Sequence, residues 1–185
     1  MRLSTGQLAK EFRVNDIFGK PVSLSQYAGK HVLLSFYKWA SCPMCNLRVY
    51  RVSQQYAQLQ QQGLEILAVF YSSADTLRAH MAQRSTPFPI IADPEMQLYR
   101  AYGVEKSLWG MMKGGMRMGD IVSIMKLGLL KTVPEGDMRI LPADFLIAPD
   151  QRIKIAYYGA DIGDHLPIAT IEQSLATHER LAYSG

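Results

Sequence analysis

Cysteine is scarce: the 185-residue chain holds two, Cys42 and Cys45, separated only by Pro43 and Met44. No long-range intrachain disulfide can form. A disulfide-stapled mini-protein is excluded, and all thiol chemistry is confined to one local pair. Long apolar runs are also missing. A spanning helix needs about 20 mostly apolar residues, and the best stretch, 107–133, is broken by Lys113, Arg117, Asp120, Lys126 and Lys131. The first six residues lack the apolar core of a secretory signal. A cytoplasmic protein without a membrane span is therefore expected. Charge of one sign is in short supply as well: 20 Lys+Arg against 16 Asp+Glu leave a net +4, too little to point to nucleic acid. His31, His80, His165 and His178 are scattered without paired spacing, and no second CxxC exists, so a zinc site lacks ligands.

What is present suits one compact domain. Apolar residues make up 48% and charged ones 19%, an ordinary globular balance with enough chain for a real core. Residues 12–22 read as two short strands around a turn, and 23–30 as one helical turn ended by Gly29. His31 to Tyr37 is a near-continuous apolar run, as expected of a strand buried on both faces. After the cysteines, Cys45, Val49, Val52, Tyr56 and Leu59 recur at spacings of four and three, one apolar stripe on a helix that Gly63 ends. Leu64 to Phe70 is a second buried strand, so the three elements make a βαβ unit with parallel strands. A helix over 74–83, a strand over 88–92 and a helix over 95–102 follow. Residues 144–147 and 153–158 read as an antiparallel pair turning at 149–151. The tail, 166–181, reads as a helix with Ile168, Ile171, Leu175 and His178 on one face. The expected fold is α/β: a mixed sheet with helices on both sides, a single domain over 1–185 carrying an excursion at 105–138.

The thiol pair lies where a buried strand hands over to a helix. Pro43 suits the first helical position, where its missing N–H costs nothing. Cys42 is then the N-cap, where free N–H groups and the helix dipole stabilise a thiolate. That makes Cys42 the expected low-pKa, solvent-facing nucleophile. Cys45 falls on the apolar stripe and suits a buried resolving thiol. Lys38 and Arg48 are close enough in sequence to add positive charge.

The segment Phe36-Tyr37-Lys38-Trp39-Ala40-Ser41-Cys42-Pro43-Met44-Cys45 resembles the active-site stretch of the redoxin group, nearest to peroxiredoxin-like AhpC/TSA proteins with a CPxC site. Phe88-Pro89-Ile90-Ile91-Ala92-Asp93-Pro94, Ala101-Tyr102-Gly103-Val104 and Phe145 to Asp150 resemble other segments of that family. The resemblance implies a thioredoxin-like fold and thiol redox chemistry without a bound cofactor. It also implies a disulfide or hydroperoxide substrate and a thioredoxin- or glutathione-type reductant. Two positions depart from the peroxide-reducing pattern: Trp39 stands where those proteins carry Thr or Ser, and Pro142 where they carry Arg. Arg139 is close enough in sequence to substitute. Pro142 instead resembles the cis-proline that thioredoxins set opposite their CxxC, with Leu141 offering its backbone to an extended substrate. Trp39 would shield the thiols. Asp144 reads as a strand-start surface residue, with assistance of a proton transfer to Cys45 as the alternative, and Asp164 as the N-cap of the last helix, with a metal site of Asp161, Asp164 and His165 as the alternative.

The reading is a thiol–disulfide oxidoreductase cycling through a Cys42–Cys45 disulfide. A hydroperoxide-reducing antioxidant enzyme is the alternative, and a redox-sensing binding module the second. The last would use the excursion. Residues 105–133 hold five of the ten methionines and a net charge of +3. Met118, Ile121, Val122, Met125 and Leu129 recur at helical spacing and predict one apolar face. Met-rich faces adapt their shape to partners, so a flap, a homodimer contact or a docking site near the thiols is expected there.

Overall fold

The computed structural model describes residues 1–81, 86–104, 118–129 and 139–182. A small antiparallel ribbon, β1 (Arg13–Asn15) and β2 (Pro21–Ser23), leads through a 3₁₀ turn at Leu24–Tyr27 into the main sheet. That sheet contains β3 (His31–Phe36), β4 (Leu64–Phe70), β5 (Ile90–Ala92), β6 (Ala143–Ile147) and β7 (Ile153–Tyr158), in the order β5-β4-β3-β6-β7. β3 pairs in parallel with β4 and antiparallel with β6, which aligns Ser35 with Asp144 and Phe36 with Ala143. The two apolar runs read from the sequence are thus the two central strands, and the βαβ unit forms as expected.

Among the described residues five α-helices accompany the sheet: α1 (Pro43–Gln61), α2 (Ala74–Met81), α3 (Gln97–Ala101), α4 (Met118–Lys126) and α5 (Ile168–Ala182). Strand alternation divides the core in two. Leu33, Tyr37, Leu146 and Phe70 pack beneath α1, α2 and α5, together with Cys45, Val49, Val52 and Ile171. Leu34, Phe36, Phe145 and Val69 face the other way, against Leu98, Tyr99 and Tyr102 and the N-terminal ribbon. Helix α1 starts at Pro43 and stops before Gly63, whose φ of 76° ends it as the sequence predicts.

Several boundaries differ from the sequence reading. Helix α3 starts at Gln97 rather than at 95, because Met96 is left-handed (φ 56°). The Asp93 carboxylate then accepts the N–H groups of Gln97, Leu98 and Tyr99 at 2.8 to 3.3 Å, fixing the start by side-chain capping. Asp164 is not the cap of α5, which begins at Ile168. Its carboxylate is occupied by the Tyr157 hydroxyl (2.5 Å) and the Ala160 N–H (2.7 Å). The excursion is described only from 118 to 129. Its helix α4 turns Ile124 and Leu129 inward onto Leu47 of α1, with Met44 alongside. Val122 and Met125, expected on the apolar face, are 47% and 60% exposed. The other residues of 105–138 up to 117 and over 130–138, and with them most of the methionines, lie outside the described residues.

Candidate active site

The thiols sit where β3 gives way to α1. Cys42 is the N-cap, in extended conformation, and its Sγ accepts the Cys45 N–H at 3.5 Å. The two sulfurs lie 2.7 Å apart as free thiols, with Cys45 donating to Cys42. A disulfide bond of about 2.05 Å therefore requires little movement. The Cys45 hydrogen bond is the main influence holding the Cys42 thiol below its ordinary range; burial opposes it, and the Cys45 and Met44 N–H groups and the Lys38 charge assist. Burial pushes the Cys45 thiol well up, reinforced by its bond and charge interaction with Cys42. The direction at Cys42 is the one expected from the sequence. The expected exposure is not found: Cys42 is only 5% exposed and Cys45 1%. The turn 39–42 folds Cys42 inward, its N–H bonded to the Trp39 carbonyl at 3.1 Å.

A short scaffold fixes this turn. The Asn46 side-chain amide donates back to the Ala40 and Cys42 carbonyls at 2.7 and 2.9 Å. Ala40 N–H donates to Ser72 Oγ at 3.0 Å, and Lys38 N–H to Cys45 Sγ at 3.4 Å. Trp39 is 5% exposed, with the Lys38 ammonium 5.5 Å from its ring centroid. Nothing in the sequence reading singled out Asn46. Its position four residues past an N-cap, where a side-chain donor can reach back to carbonyls of the preceding turn, is the signal that was available.

The remaining site candidates divide. Pro142 stands beside the Gly159 backbone, whose N–H donates to its carbonyl at 2.9 Å. The Leu141–Pro142 bond is trans; among the described residues no peptide bond is cis. The thioredoxin-like expectation for this proline is overturned, and with it the offered Leu141 backbone, since Leu141 is 8% exposed. Trans is the ground state of an X–Pro bond by about 0.5–1 kcal/mol. Arg139 is exposed, in the turn ahead of Ile140. Arg48 reaches the Leu166 carbonyl at 2.6 Å.

Asp144 is the largest correction. It is fully buried, because it shares the inward parity of Leu146. Its Oδ2 takes the Leu166 N–H at 2.7 Å and lies 2.9 Å from His165 Nδ1. Burial alone would raise its carboxyl. The His165 charge and hydrogen bond, with Arg48 behind them, instead hold it at about 2. His165 in turn lines a pocket of about 270 Å³ together with Met44, Arg48, Arg51 and Asp161.

A five-stranded mixed sheet with a CxxC pair at the start of the helix after its central strand defines a thioredoxin-fold thiol protein. The model of the AhpC/TSA family matches residues 5–156, and the chain belongs to that family. It is 26% identical over 113 residues to chloroplastic peroxiredoxin Q of Sedum lineare, a match covering 61% of this chain and 61% of that relative's length. It is 26% identical over 138 residues to the thiol-disulfide oxidoreductase ResA of Halalkalibacterium halodurans, covering 74% and 76%. Among solved structures, peroxidoxin BcpB of Mycobacterium tuberculosis superposes with a TM-score of 0.67 at 17% identity, covering 95% and 96%. Among the described residues, no helix is long and apolar enough to cross a membrane.

Proposed function

We propose that the chain is a thiol–disulfide oxidoreductase in which Cys42 is the nucleophile and Cys45 the resolving thiol. The observation that carries this reading is the sulfur pair: two free thiols 2.7 Å apart, with Cys45 donating toward an N-capping Cys42. Cys42, the lower-pKa partner, attacks a disulfide and becomes mixed-disulfide linked. Cys45 then attacks Cys42 from the protein side and closes the intramolecular disulfide. Trp39 and Pro43 shape the turn that carries Cys42. The electrons come from a thioredoxin- or glutathione-type thiol, and no bound cofactor takes part.

Peroxide reduction is the second reading, favoured by the names of the peroxiredoxin relatives and by the lowered Cys42 pKa. It passes through a Cys42 sulfenic acid that Cys45 resolves. Against it stand Trp39 and a trans Pro142 at the positions where peroxide-reducing relatives hold the polarising groups, and an exposed Arg139. Stopped-flow oxidation of the reduced protein separates the two. Oxidation by a small disulfide should outpace oxidation by hydrogen peroxide at equal concentration. A peroxide rate constant exceeding the disulfide one would reverse the order of the readings.

A further inference from the structure

A charged cleft beside the thiols takes no part in the exchange described above. Helix α1 lines one wall with Met44, Leu47, Arg48 and Arg51, and the loop from Asp161 to Pro167 lines the other, around a space of about 270 Å³. Met44 belongs to the CxxC turn itself, so the cleft begins next to the sulfurs. Its side chain lies against Gly163, where a Cβ would come within 2.7 Å of Met44 Cε. The Arg51 backbone stands about 13 Å along α1 from Cys42 by helix rise. Helical side chains lean back toward the helix start, which brings the Arg51 guanidinium nearer the thiols.

A carboxylate from elsewhere in the chain already occupies this arginine. Asp120, in the first turn of α4, accepts from Arg51 Nη2 at 2.8 Å; its side chain is 14% exposed and that of Arg51 48%. The contact engages one of the five N–H donors of the guanidinium, the side chain best shaped to take a carboxylate. Helix α4 has a separate apolar anchor, because Ile124 and Leu129 seat it on Leu47. The other charges of the cleft are turned to the loop wall. Asp164 takes the Tyr157 hydroxyl and the Ala160 N–H, Asp161 takes the Gly163 N–H at 2.8 Å, and Arg48 donates to the Leu166 carbonyl at 2.6 Å. The Arg51–Asp120 pair, by contrast, is open to solvent on the Arg51 side and can exchange partners.

We propose that the cleft binds the carboxylate of a small anionic disulfide on Arg51, and that Asp120 holds this position as an internal competitor when substrate is absent. The proposal rests on the thiol–disulfide reading above and names its substrate class: a low-molecular-weight disulfide with a carboxylate several bonds beyond the sulfur. That length follows from the placement of Arg51 beyond Met44. In turnover the Cys42 thiolate bonds one substrate sulfur, and the other leaves with the electron pair as a thiolate. Cys45 then bonds Cys42, and the second substrate sulfur leaves with the Cys45 proton. The substrate disulfide is reduced to a thiol and a thiolate, and the protein dithiol is oxidised to its disulfide. Arg51 touches the carboxylate and not the reacting sulfurs, so it decides which disulfide binds.

The test reacts the reduced full-length protein with dithiodibutyrate, which carries a carboxylate on each arm, and with the uncharged hydroxyethyl disulfide. Both are kept well below saturation, and loss of free thiol is followed by quenched alkylation and intact mass. The readout is the ratio of the two rates, which cancels changes in the thiols themselves. A half-exposed ion pair competes by about two- to five-fold. Arg51→Gln should lower the ratio by about that factor, Arg51→Lys should restore most of it, and Asp120→Asn should raise it. Opposite signs from the two halves of one ion pair mark a competitor; a strut between α1 and α4 would move both the same way. An unchanged ratio in Arg51→Gln or Asp120→Asn, or a fall in both, overturns the proposal and leaves the thiol–disulfide function standing. If Asp120→Asn fails to fold, the two Arg51 variants decide, together with redox-inert glutarate, which should lower the ratio in the unsubstituted protein. Unsubstituted protein that neither disulfide oxidises overturns the function, and the substrate class with it.

Discussion

Replacing Asn46 by Ala removes both donors that tie the 39–42 turn to α1. The Asn46 backbone N–H still reaches the Cys42 carbonyl at 3.0 Å, so that acceptor keeps one partner. The Ala40 carbonyl loses its 2.7 Å bond at a buried site, Ala40 being fully buried and Asn46 9% exposed. Two intramolecular hydrogen bonds at about 1 kcal/mol each give a loss of about 2 kcal/mol. For a domain of this size that lowers Tm by about 4–8 °C. Asn46→Asp is the sharper variant. It is nearly isosteric, loses both donors, and points a negative charge at two carbonyls beside Cys42. Its stability should fall below that of Asn46→Ala, and the Cys42 pKa should rise by about one unit, reducing the thiolate about ten-fold below its pKa. Urea denaturation and iodoacetamide alkylation against pH measure the two effects. A loss under about 0.5 kcal/mol for Asn46→Ala, or an Asn46→Asp variant as stable as the parent, would refute the assignment of Asn46 as the clamp on this turn.

Three further outcomes are expected. Alkylation of the reduced protein at mildly acidic pH should modify Cys42 before Cys45, as peptide mapping would show, though slowly because Cys42 is 5% exposed. The Asp144 carboxyl, held at about 2 against an ordinary 3.8, contributes stability that is present above pH 4 and lost as pH falls toward 2. Asp144→Asn should remove about 2 kcal/mol of that pH dependence, read from urea midpoints between pH 5 and pH 2. A Cβ at Gly159 would strike the Asp164 carbonyl oxygen and lie 2.9 Å from Pro142 Cγ. Gly159→Ala should therefore cost about 1–3 kcal/mol, measured by thermal unfolding.

The central strands and α1 were legible because their signals are local: unbroken apolar runs, a four–three stripe and a proline at a helix start. The cysteine pair was legible for the same reason, its placement at a strand-to-helix junction being a property of consecutive residues. What escaped depends on partners far apart in the chain. Asp144 reads as a surface acid until β6 is registered against β3, when its parity with Leu146 turns it inward. Its partner His165 arrives from 21 residues downstream. A helix-start position reads as surface for Cys42, whereas Asn46 and the Trp39 carbonyl draw the turn inward. Spacing alone predicts an apolar face on α4 that includes Val122 and Met125. The contact with Leu47 selects Ile124 and Leu129 and leaves Met125 outside. The trans bond at Pro142 is the ordinary ground state of an X–Pro bond, against the cis form that the resemblance to the thioredoxin proline suggests.

The measurement closest to the central claim uses single cysteine variants. Reduced Cys45→Ser and Cys42→Ser proteins are each mixed with a chromogenic aromatic disulfide, and intact mass is followed against released thiolate. Cys45→Ser should capture one equivalent as a stable mixed disulfide on Cys42 and release one thiolate. Cys42→Ser should react at least about 100-fold more slowly, since its remaining thiol is buried and its pKa raised. Faster or equal reaction at Cys45 in the Cys42→Ser protein would contradict the assignment of nucleophile and resolving thiol.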